Sequence, residues 1–286
     1  MQSVTKKRIG ILRGGKGENY ATSLKKGGEI ILNINENLGD KYKTFDILID
    51  RKGIWHFNGM PIKPSELVNK VDVVWNIARP QSTIVLESFS IPCINNGAFA
   101  WAMENNRDML RDHMKNIGVP MPRSVSSPSS AREVFQKLGA PWRAGEKLIK
   151  TFPELVELIE NNKNILIEEY IEGSNTSIHS VPDFRGQDIY IFPARNATHS
   201  VAGGPPSNLT HQDKDKLYVL VKELHHRLGI NYYLKSDFIV NPKGKIYLLG
   251  IESNPDLKQD SHFSQACESV GAKTRNVIEH ILENAI

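Results

Sequence analysis

The sequence is poor in cysteine, and this scarcity limits the cellular environments and the catalytic reactions that fit the protein. Only Cys93 and Cys267 occur among 286 residues, which is too few for a disulfide framework. The two cysteines also lack the paired spacing of a zinc site and any neighbouring histidine pattern. We therefore expect a reducing, cytoplasmic environment and no thiol-based catalysis.

Long apolar runs and blocks of like charge are also missing. No run approaches the roughly 18 apolar residues of a membrane helix, and the amino end shows no signal-peptide pattern. Lys and Arg number 36 and Asp and Glu number 32, and the resulting net charge of +4 is spread along the chain. We therefore expect no membrane span and no nucleic-acid partner. With 40% hydrophobic and 24% charged residues, the composition is that of an ordinary globular protein, long enough for two or three compact units.

Short apolar runs separated by helical or polar segments dominate the first third of the chain. The run at residues 8–13 stops at the glycine loop Gly14-Gly15-Lys16-Gly17, and a helical segment follows. Three further apolar runs lie at residues 44–50, 71–78 and 90–94. Because strands alternate with helices, this part predicts a parallel α/β sheet.

The pattern changes near Asn95, beyond which longer helical segments appear. We predict an α/β domain over residues 1–95, a small central unit over 96–164 and a carboxyl-terminal unit over 165–286. The predicted helices cover residues 98–117, 213–228 and 263–284, and two further helices start at capping boxes at Ser130 and Thr151.

A predicted β-hairpin in the last unit is the most informative element. Its strands cover residues 234–240 and 245–252, and the turn Asn241-Pro-Lys-Gly244 sets Asp237 opposite Leu248. The period of two then places four residues on one face: Lys235, Asp237, Gly250 and Glu252. Two carboxylates with open positions suit Mg²⁺ bound to a nucleotide, although a solvated edge hairpin fits the spacing equally well.

Two other segments are weaker candidates. The glycine loop would let backbone N–H groups approach an anion at a helix start, but a lone loop is weak evidence. His225 and His226 lie beyond the apolar stripe of their helix, so we interpret them as a solvated pair rather than a metal site.

Taken in order, the segments resemble the D-alanine–D-alanine ligase family of the ATP-grasp superfamily across nearly the whole chain. The amino-terminal motif of that family is matched at Gly14, Gly15, Ser23, Leu24 and Gly27, whereas Asn19 stands at its substrate-facing glutamate. The segment 167–173 resembles the family's adenine-binding hinge, and Lys235-Ser-Asp237-Phe238 resembles its Arg-x-Asp-Phe.

The resemblance implies an ATP-grasp fold with an amino-terminal α/β domain, and it implies an activity. An ATP-dependent carboxylate–amine ligase would form a peptide or amide bond through an acyl phosphate, as in the synthesis of peptidoglycan precursors. It would use ATP and Mg²⁺ and a small-molecule substrate, an amino acid such as D-alanine, and the family pattern leaves a homodimer open.

The resemblance also implies three groups of site residues. The catalytic candidates are Lys235, Ser23 and Ser261. The nucleotide-binding candidates are Arg107, Arg143, Lys147, Glu168, Glu169, Tyr170, Ile171 and Asn175. The metal candidates are Asp237, Glu252 and Asn254.

Departures from the family pattern keep a second interpretation open. Gly250 stands where the ligases have a metal-bridging glutamate, and Glu252 stands where they have an asparagine ligand. A shifted register would restore the family's Glu-x-Asn as Glu252-Ser-Asn254, but it needs an insertion and a deletion, so we prefer the ungapped one. The family's His-Gly loop is absent after Asn76, and its lid is shortened to residues 141–150. The alternative is a catalytically degenerate ATP-grasp protein that keeps the fold and nucleotide binding in a non-enzymatic role.

Overall fold

Three β-sheets follow one another along the chain in the computed structural model, which describes residues 5–125, 141–144, 147–161, 166–196 and 209–286. Among the helices of these ranges, none is long and apolar enough to cross a membrane. Cys93 and Cys267 are both free thiols.

The first sheet has six strands. They are β1 (Lys7–Gly14), β2 (Tyr42–Ile49), β3 (Trp55–Phe57), β4 (Met60–Pro61), β5 (Val73–Asn76) and β6 (Cys93–Ile94). Their order is β4-β3-β2-β1-β5-β6, with β1, β2, β5 and β6 parallel and β3 and β4 added antiparallel. Helices α1 (Tyr20–Asn37) and α2 (Pro80–Ser88) follow β1 and β5, and Pro64–Leu67 forms a 3₁₀ turn. The predicted parallel α/β sheet is confirmed.

Two helices lead from the first sheet to the middle one, where the sequence predicts a single helix over residues 98–117. Helix α3 (Gly97–Asn105) ends at Asn106, and α4 (Arg107–Asn116) begins directly after it. Asn106 has extended backbone angles, φ −131° and ψ 102°, and its side chain accepts a hydrogen bond from the Met109 N–H. The single-helix prediction is therefore wrong, because asparagine caps a new helix at this position.

The middle sheet is antiparallel, in the order β7-β10-β8-β9. Its elements are β7 (Ser124–Val125), β8 (Trp142–Ala144), β9 (Lys147–Ile149), α5 (Phe152–Asn161) and β10 (Ile167–Glu169). The predicted capping box at Thr151 is confirmed: Glu154 N–H donates to Thr151 Oγ1 at 3.4 Å, and Thr151 N–H donates to Glu154 Oε2 at 3.2 Å. The helix predicted from Ser130 lies outside the described residues.

The third sheet is antiparallel and follows β10 directly. Its strands are β11 (Ser174–Pro182), β12 (Ile189–Ile191), β13 (Arg195–Asn196), β14 (Leu234–Val240) and β15 (Ile246–Glu252). The path is β12-β11-β14-β15, and β13 also pairs with β11. Its helices are α6 (His211–Leu228), α7 (His262–Glu268) and α8 (Thr274–Glu283), and Phe184–Gly186 is a 3₁₀ turn. The helix predicted over residues 263–284 is thus two helices, α7 and α8.

The predicted hairpin is present, but its register differs from the prediction. Asp237 pairs with Gly250 and Phe238 with Leu248, because a β-bulge at Leu249 adds one residue to β15. Lys235 pairs with Glu252. The shift keeps Lys235, Asp237, Gly250 and Glu252 on one face.

The side chain of Asn96 connects the first sheet to the third by hydrogen bonds. Its side-chain amide donates to the carbonyl oxygens of Tyr233 and Ser253, both at 3.1 Å. Its side-chain oxygen accepts from the N–H groups of Asn231 at 3.0 Å and Tyr232 at 3.1 Å. Both N–H donors and both acceptor positions of this side chain therefore connect the two sheets.

One apolar core extends across both of these sheets. Ile9 and Trp75 of the first sheet belong to the same cluster as Phe263 of α7 and Ile281 of α8, and all four are at most 2% exposed. A smaller cluster around Trp142 fills the middle sheet separately. The site described next lies where the three sheets meet.

His225 corrects the prediction of a solvated histidine pair. His226 is exposed, but His225 is only 2% exposed, and its Nε2 is 2.7 Å from the hydroxyl of Ser180 on β11. Burial lowers the pKa of His225 to about 4, so the ring is neutral at physiological pH.

Candidate functional site

The hairpin face carries one ammonium between two carboxylates. Lys235 Nζ is 3.0 Å from Asp237 Oδ2 and 2.9 Å from Glu252 Oε1. Ser177 Oγ on β11 donates to Asp237 Oδ1 at 2.5 Å, and Lys26 Nζ on α1 lies 3.5 Å from Glu252 Oε2. The structure therefore brings together three residues predicted from the sequence, and it adds a hydroxyl and a second ammonium.

The charges on this face stabilise one another. Burial alone would lower the pKa of Lys235, but the Asp237 and Glu252 carboxylates outweigh it and raise that pKa. Burial alone would raise the pKa of Glu252, but Lys235 and Lys26 outweigh it and lower that pKa. Lys235 and Glu252 are therefore both charged at neutral pH.

The third position of the face, Gly250, has no side chain. A Cβ built there would lie 3.5 Å from Arg107 Nη1, so the guanidinium of α4 reaches over the hairpin at this point. Within the described ranges, no group of three His, Cys, Asp or Glu side chains is arranged to hold a metal ion. Any metal on this face has to rely on Asp237 and Glu252.

A buried carboxylate in the middle sheet gathers three guanidinium groups. Glu168 on β10 is 4% exposed, and its Oε1 accepts from Arg107 Nε at 3.0 Å and Nη2 at 2.7 Å. Arg111 Nη2 lies 3.2 Å from the same oxygen, and Arg143 Nη2 lies 3.6 Å from Oε2. Arg111 also pairs with Asp108 at 2.6 Å, so two carboxylates face three guanidiniums and the cluster retains one excess positive charge for an anion.

The connection between β10 and β11 holds the other residues of the predicted hinge. Glu169 points to the opposite face from Glu168, and its double hydrogen bond with Arg123, at 2.8 and 2.9 Å, lowers the pKa of its carboxyl group. Tyr170 is 41% exposed, and Ile171 is half-buried. The Oδ1 atom of Asn175 is buried with no hydrogen-bond partner in the part of the chain that the structure describes.

At Gly173 this connection passes very close to the backbone of β14. A Cβ at this position would lie 2.3 Å from the carbonyl oxygen of Val240, so only glycine lets the chain pass this close to β14. The side chain of Lys147, another predicted nucleotide contact, lies outside the described part.

Two predicted catalytic serines have structural hydrogen bonds. Ser23 Oγ accepts from the Gly14 N–H and donates to the Ile77 carbonyl, both at 2.9 Å, and so joins the ends of β1 and β5. Ser261 Oγ donates to the Asp256 carbonyl at 2.9 Å and caps α7 by accepting from the Ser264 N–H at 3.1 Å. Both hydroxyl protons are engaged, so a role in positioning the backbone fits them better than a role in proton transfer.

A polar cavity of about 150 Å³ lies beside the hairpin. It opens at the carboxyl ends of β1 and β5, the point where the strand order of the first sheet reverses and where ligands of α/β sheets bind. Its charged lining residues are Lys26, Arg79 and Glu104, and Asn254 lines it as well. The metal candidate Asn254 is thus a lining residue of this cavity.

The comparisons with known proteins agree on one family. Residues 146–283 match the family model described as D-ala D-ala ligase C-terminus. A curated D-alanine–D-alanine ligase from Aquifex aeolicus is 21% identical over 299 residues, covering 96% of this chain and 99% of that protein. Residues 146–283 thus match the carboxyl-terminal part of D-alanine–D-alanine ligases, and the chain is similar to curated ligases of this family over most of its length.

Solved structures show that the chain has the ATP-grasp fold, as expected from the sequence. D-alanyl-alanine synthetase A from Vibrio cholerae has a TM-score of 0.76 at 15% identity, with 99% of each chain covered. The D-alanine–D-alanine ligase from Bacillus anthracis complexed with ATP has a TM-score of 0.73 at 18% identity, covering 98% of this chain and 96% of that one.

Several charged residues of this site were not predicted from the sequence. Arg79, Arg111 and Glu104 were not singled out from the sequence. A signal existed for Arg111, because it lies four positions after Arg107 and hence on the same helix face. No local pattern could reveal Arg79 or Glu104, because distant segments create their surroundings.

Proposed function

We propose that the chain is an ATP-dependent carboxylate–amine ligase of the D-alanine–D-alanine ligase type. In this reaction a carboxylate oxygen attacks the γ-phosphorus of ATP and ADP leaves. An amine nitrogen then attacks the acyl phosphate, and phosphate and a proton are released as the C–N bond forms. The observation that carries the proposal is the pair of charge clusters around Lys235 and around Glu168, which Arg107 connects.

The cations of these two clusters suit the charge that develops in both steps. Arg107 contacts Glu168 and also reaches over Gly250, so it is placed between the hinge and the hairpin. Arg107 and Arg143 would bind the phosphates of ATP, and Lys235 would stabilise the oxyanion of the tetrahedral intermediate. Lysine lacks the fork geometry of the arginine found in the family, so we expect weaker orientation of that oxyanion.

The nucleotide base would bind at the β10–β11 connection. Tyr170 and Ile171 offer apolar surface for stacking, and the unpartnered Asn175 Oδ1 is an acceptor for a ribose hydroxyl. The ATP complex of the Bacillus anthracis ligase, which has the same fold, supports ATP as the nucleotide.

The residues present fit one magnesium ion. Mg²⁺ is bound in proteins through one or two carboxylates, with phosphates and water completing its shell, and Asp237 and Glu252 are such a pair. A bound Mg²⁺ would neutralise phosphate charge. Lys235 supplies positive charge at the same carboxylates, and Gly250 supplies no ligand, so we propose one ion and not two.

The substrate we propose is a small amino acid, with D-alanine first because it is named in the relatives. The comparisons do not favour the degenerate alternative. A homodimer and a cytoplasmic location stay predictions.

The experiment combines ATP binding with turnover in one preparation. Calorimetry with and without Mg²⁺ measures ATP affinity, and phosphate release is then followed with D-alanine and a panel of other amino acids. We expect ATP binding and phosphate release that depends on one or a few amino acids. ATP binding without amino-acid-dependent release across the panel would support the non-enzymatic alternative instead.

A substitution of Lys235 tests whether the hairpin takes part in catalysis. Lys235→Met should lower kcat by about 100-fold or more, the effect of losing one oxyanion donor. The exposed Lys243 of the hairpin turn provides the matched control, Lys243→Met, which should keep wild-type turnover. Equal kcat for both variants would contradict the role of Lys235.

A further inference from the structure

Every oxygen of the two hairpin carboxylates already has a partner within the protein. Lys235 Nζ lies between them, 3.0 Å from Asp237 Oδ2 and 2.9 Å from Glu252 Oε1. The other Asp237 oxygen accepts from the Ser177 hydroxyl at 2.5 Å, and the other Glu252 oxygen lies 3.5 Å from Lys26 Nζ. A divalent cation that reaches this pair of carboxylates therefore has to compete with a donor at each of the four oxygens.

Positive and negative charges balance at this position. The two carboxylates face two ammoniums. One further charge of each sign lies nearby: Arg107 reaches over the hairpin, and Glu104 is close enough to Glu252 for their charges to interact. Mg²⁺ gives up its water reluctantly and binds proteins through carboxylates together with the phosphates of a substrate. A free Mg²⁺ ion would have to displace an ammonium here without a net negative charge to attract it.

The strand beside Lys235 offers its ammonium no other counter-charge. The pairing of β11 with β14 sets His179 directly opposite Lys235, so both side chains lie on the same face of the sheet. His179 is 1% exposed, and its Nδ1 is 2.7 Å from the Tyr233 hydroxyl. Burial lowers the pKa of His179 well below its usual range, so the ring is neutral. The ammonium is therefore held by the two carboxylates, and another anion has to replace them if it moves.

We infer that the Lys235 ammonium occupies the place of the metal ion when no nucleotide is bound, and that Asp237 and Glu252 accept the ion only as part of a metal–nucleotide complex. This role of Lys235 rests on the proposed function, which places Mg²⁺ on these carboxylates and ATP beside them. The phosphates supply the negative charge to which the ammonium moves when the ion takes its carboxylates.

The exchange gives a reason for lysine at position 235. An ammonium is a compact point charge on a flexible four-carbon stem, whereas a guanidinium is a rigid planar fork. Lys235 can therefore turn from the carboxylates to the phosphate without any movement of β14. The cation that stabilises the oxyanion then becomes available at the same time as the metal–nucleotide complex.

Binding of Mn²⁺ alone tests this exchange without turnover. Mn²⁺ takes the same oxygen ligands as Mg²⁺, and its EPR signal reports the free ion. Without nucleotide, Lys235→Met should bind Mn²⁺ at least about 10-fold more tightly than the wild type, because the two carboxylates lose the ammonium between them. The control Lys243→Met, in the exposed hairpin turn, should bind Mn²⁺ like the wild type. Equal affinity of Lys235→Met and the wild type would overturn the inference.

A double variant identifies the site that Lys235→Met opens. Adding Asp237→Asn to Lys235→Met removes the charge of one of the two ligands, so the gain in Mn²⁺ affinity should disappear. A gain that survives this second substitution would place the ion elsewhere in the protein and refute the competition at the hairpin.

NMR of the wild-type protein follows the ammonium itself and does not depend on the stability of a variant with an uncompensated charge. The ¹H–¹⁵N signal of the Lys235 ammonium is assigned by its absence in Lys235→Arg, which keeps the positive charge. This signal should stay in place when Mg²⁺ is added alone and should shift when Mg²⁺ is added with a non-hydrolysable ATP analogue. A shift with Mg²⁺ alone, or no shift once calorimetry shows the analogue to be bound, would contradict the exchange.

Phosphate release separates this inference from the proposed function. Amino-acid-dependent release from a wild type that binds free Mn²⁺ as tightly as Lys235→Met would preserve the ligase and refute the role of the ammonium. A wild type that releases no phosphate, together with a gained Mn²⁺ site in Lys235→Met, would refute the ligase and leave the occupied carboxylate pair in place.

Discussion

Replacing Glu168 by glutamine should destabilise the protein strongly. The Glu168 side chain is 5% exposed, and it pairs with three guanidiniums whose side chains are 18–26% exposed. Removing one partner of a buried ion pair costs about 3–5 kcal/mol, because the other charge stays buried without compensation. Partial exposure of the arginines lets water solvate them, so we expect the lower end, about 3 kcal/mol.

Scanning calorimetry measures this loss. At roughly 2–4 °C per kcal/mol, Glu168→Gln should lower Tm by about 6–12 °C in the transition that includes the middle sheet. The control Glu172→Gln changes an exposed glutamate four residues along the chain and should leave Tm within about 1 °C of the wild type. If both variants melt together, the three arginines are solvated by water and Glu168 does not hold α4 on the middle sheet.

Three further outcomes follow from other parts of the molecule. The free energy of unfolding should fall as the pH drops from about 6.5 to about 4, because His225 binds a proton in the unfolded chain but stays neutral when buried. In urea titrations, the His225→Leu variant should lose about 3 kcal/mol less than the wild type over this pH range. Asp237→Asn should reduce the gain in ATP affinity caused by Mg²⁺ by at least about 10-fold in calorimetry. The control Asp215→Asn, on the exposed face of α6, should keep the full gain. An unchanged gain in Asp237→Asn would exclude Asp237 as a ligand. Gly17→Ala should lower Tm more than Gly59→Ala does, because a Cβ at Gly17, where φ is +123°, would lie 1.8 Å from Arg79 Nη2, whereas a Cβ at Gly59, also at positive φ, meets no atom within 4 Å. Equal Tm values in scanning calorimetry would show that Arg79 does not constrain the loop.

The sequence predicted the elements whose signals are local. The parallel strands of the first sheet, the capping box at Thr151 and the hairpin follow from apolar runs, side-chain caps and a turn, all of which lie within a few residues. The position of Lys235 and Glu252 on one face of the hairpin was also predicted. The change of pairing at this end, from Leu248 to Gly250 opposite Asp237, is two residues and so keeps the alternation of side chains. The exact pairing did not follow, since the bulge at Leu249 leaves no mark in the local pattern.

Strand β11 was missed because its partners are remote. Its sequence, Ser-Asn-Thr-Ser-Ile-His-Ser-Val-Pro, is rich in residues that favour turns, yet it runs fully paired along β14. Its buried polar groups are satisfied across the sheet: Ser177 binds Asp237, His179 Nδ1 lies 2.7 Å from the Tyr233 hydroxyl, and Ser180 binds His225. Such a strand is stabilised by hydrogen bonds that no window of the sequence contains.

The apolar core shared by the first and third sheets has a consequence for folding cooperativity. Ile9 near the amino end and Ile281 near the carboxyl end pack in one cluster, so neither sheet can open without exposing the core of the other. We expect the two sheets to unfold as one cooperative unit, although some 80 residues separate β6 from β11. The middle sheet, with its own small cluster around Trp142, is then the part whose local opening a protease would detect first.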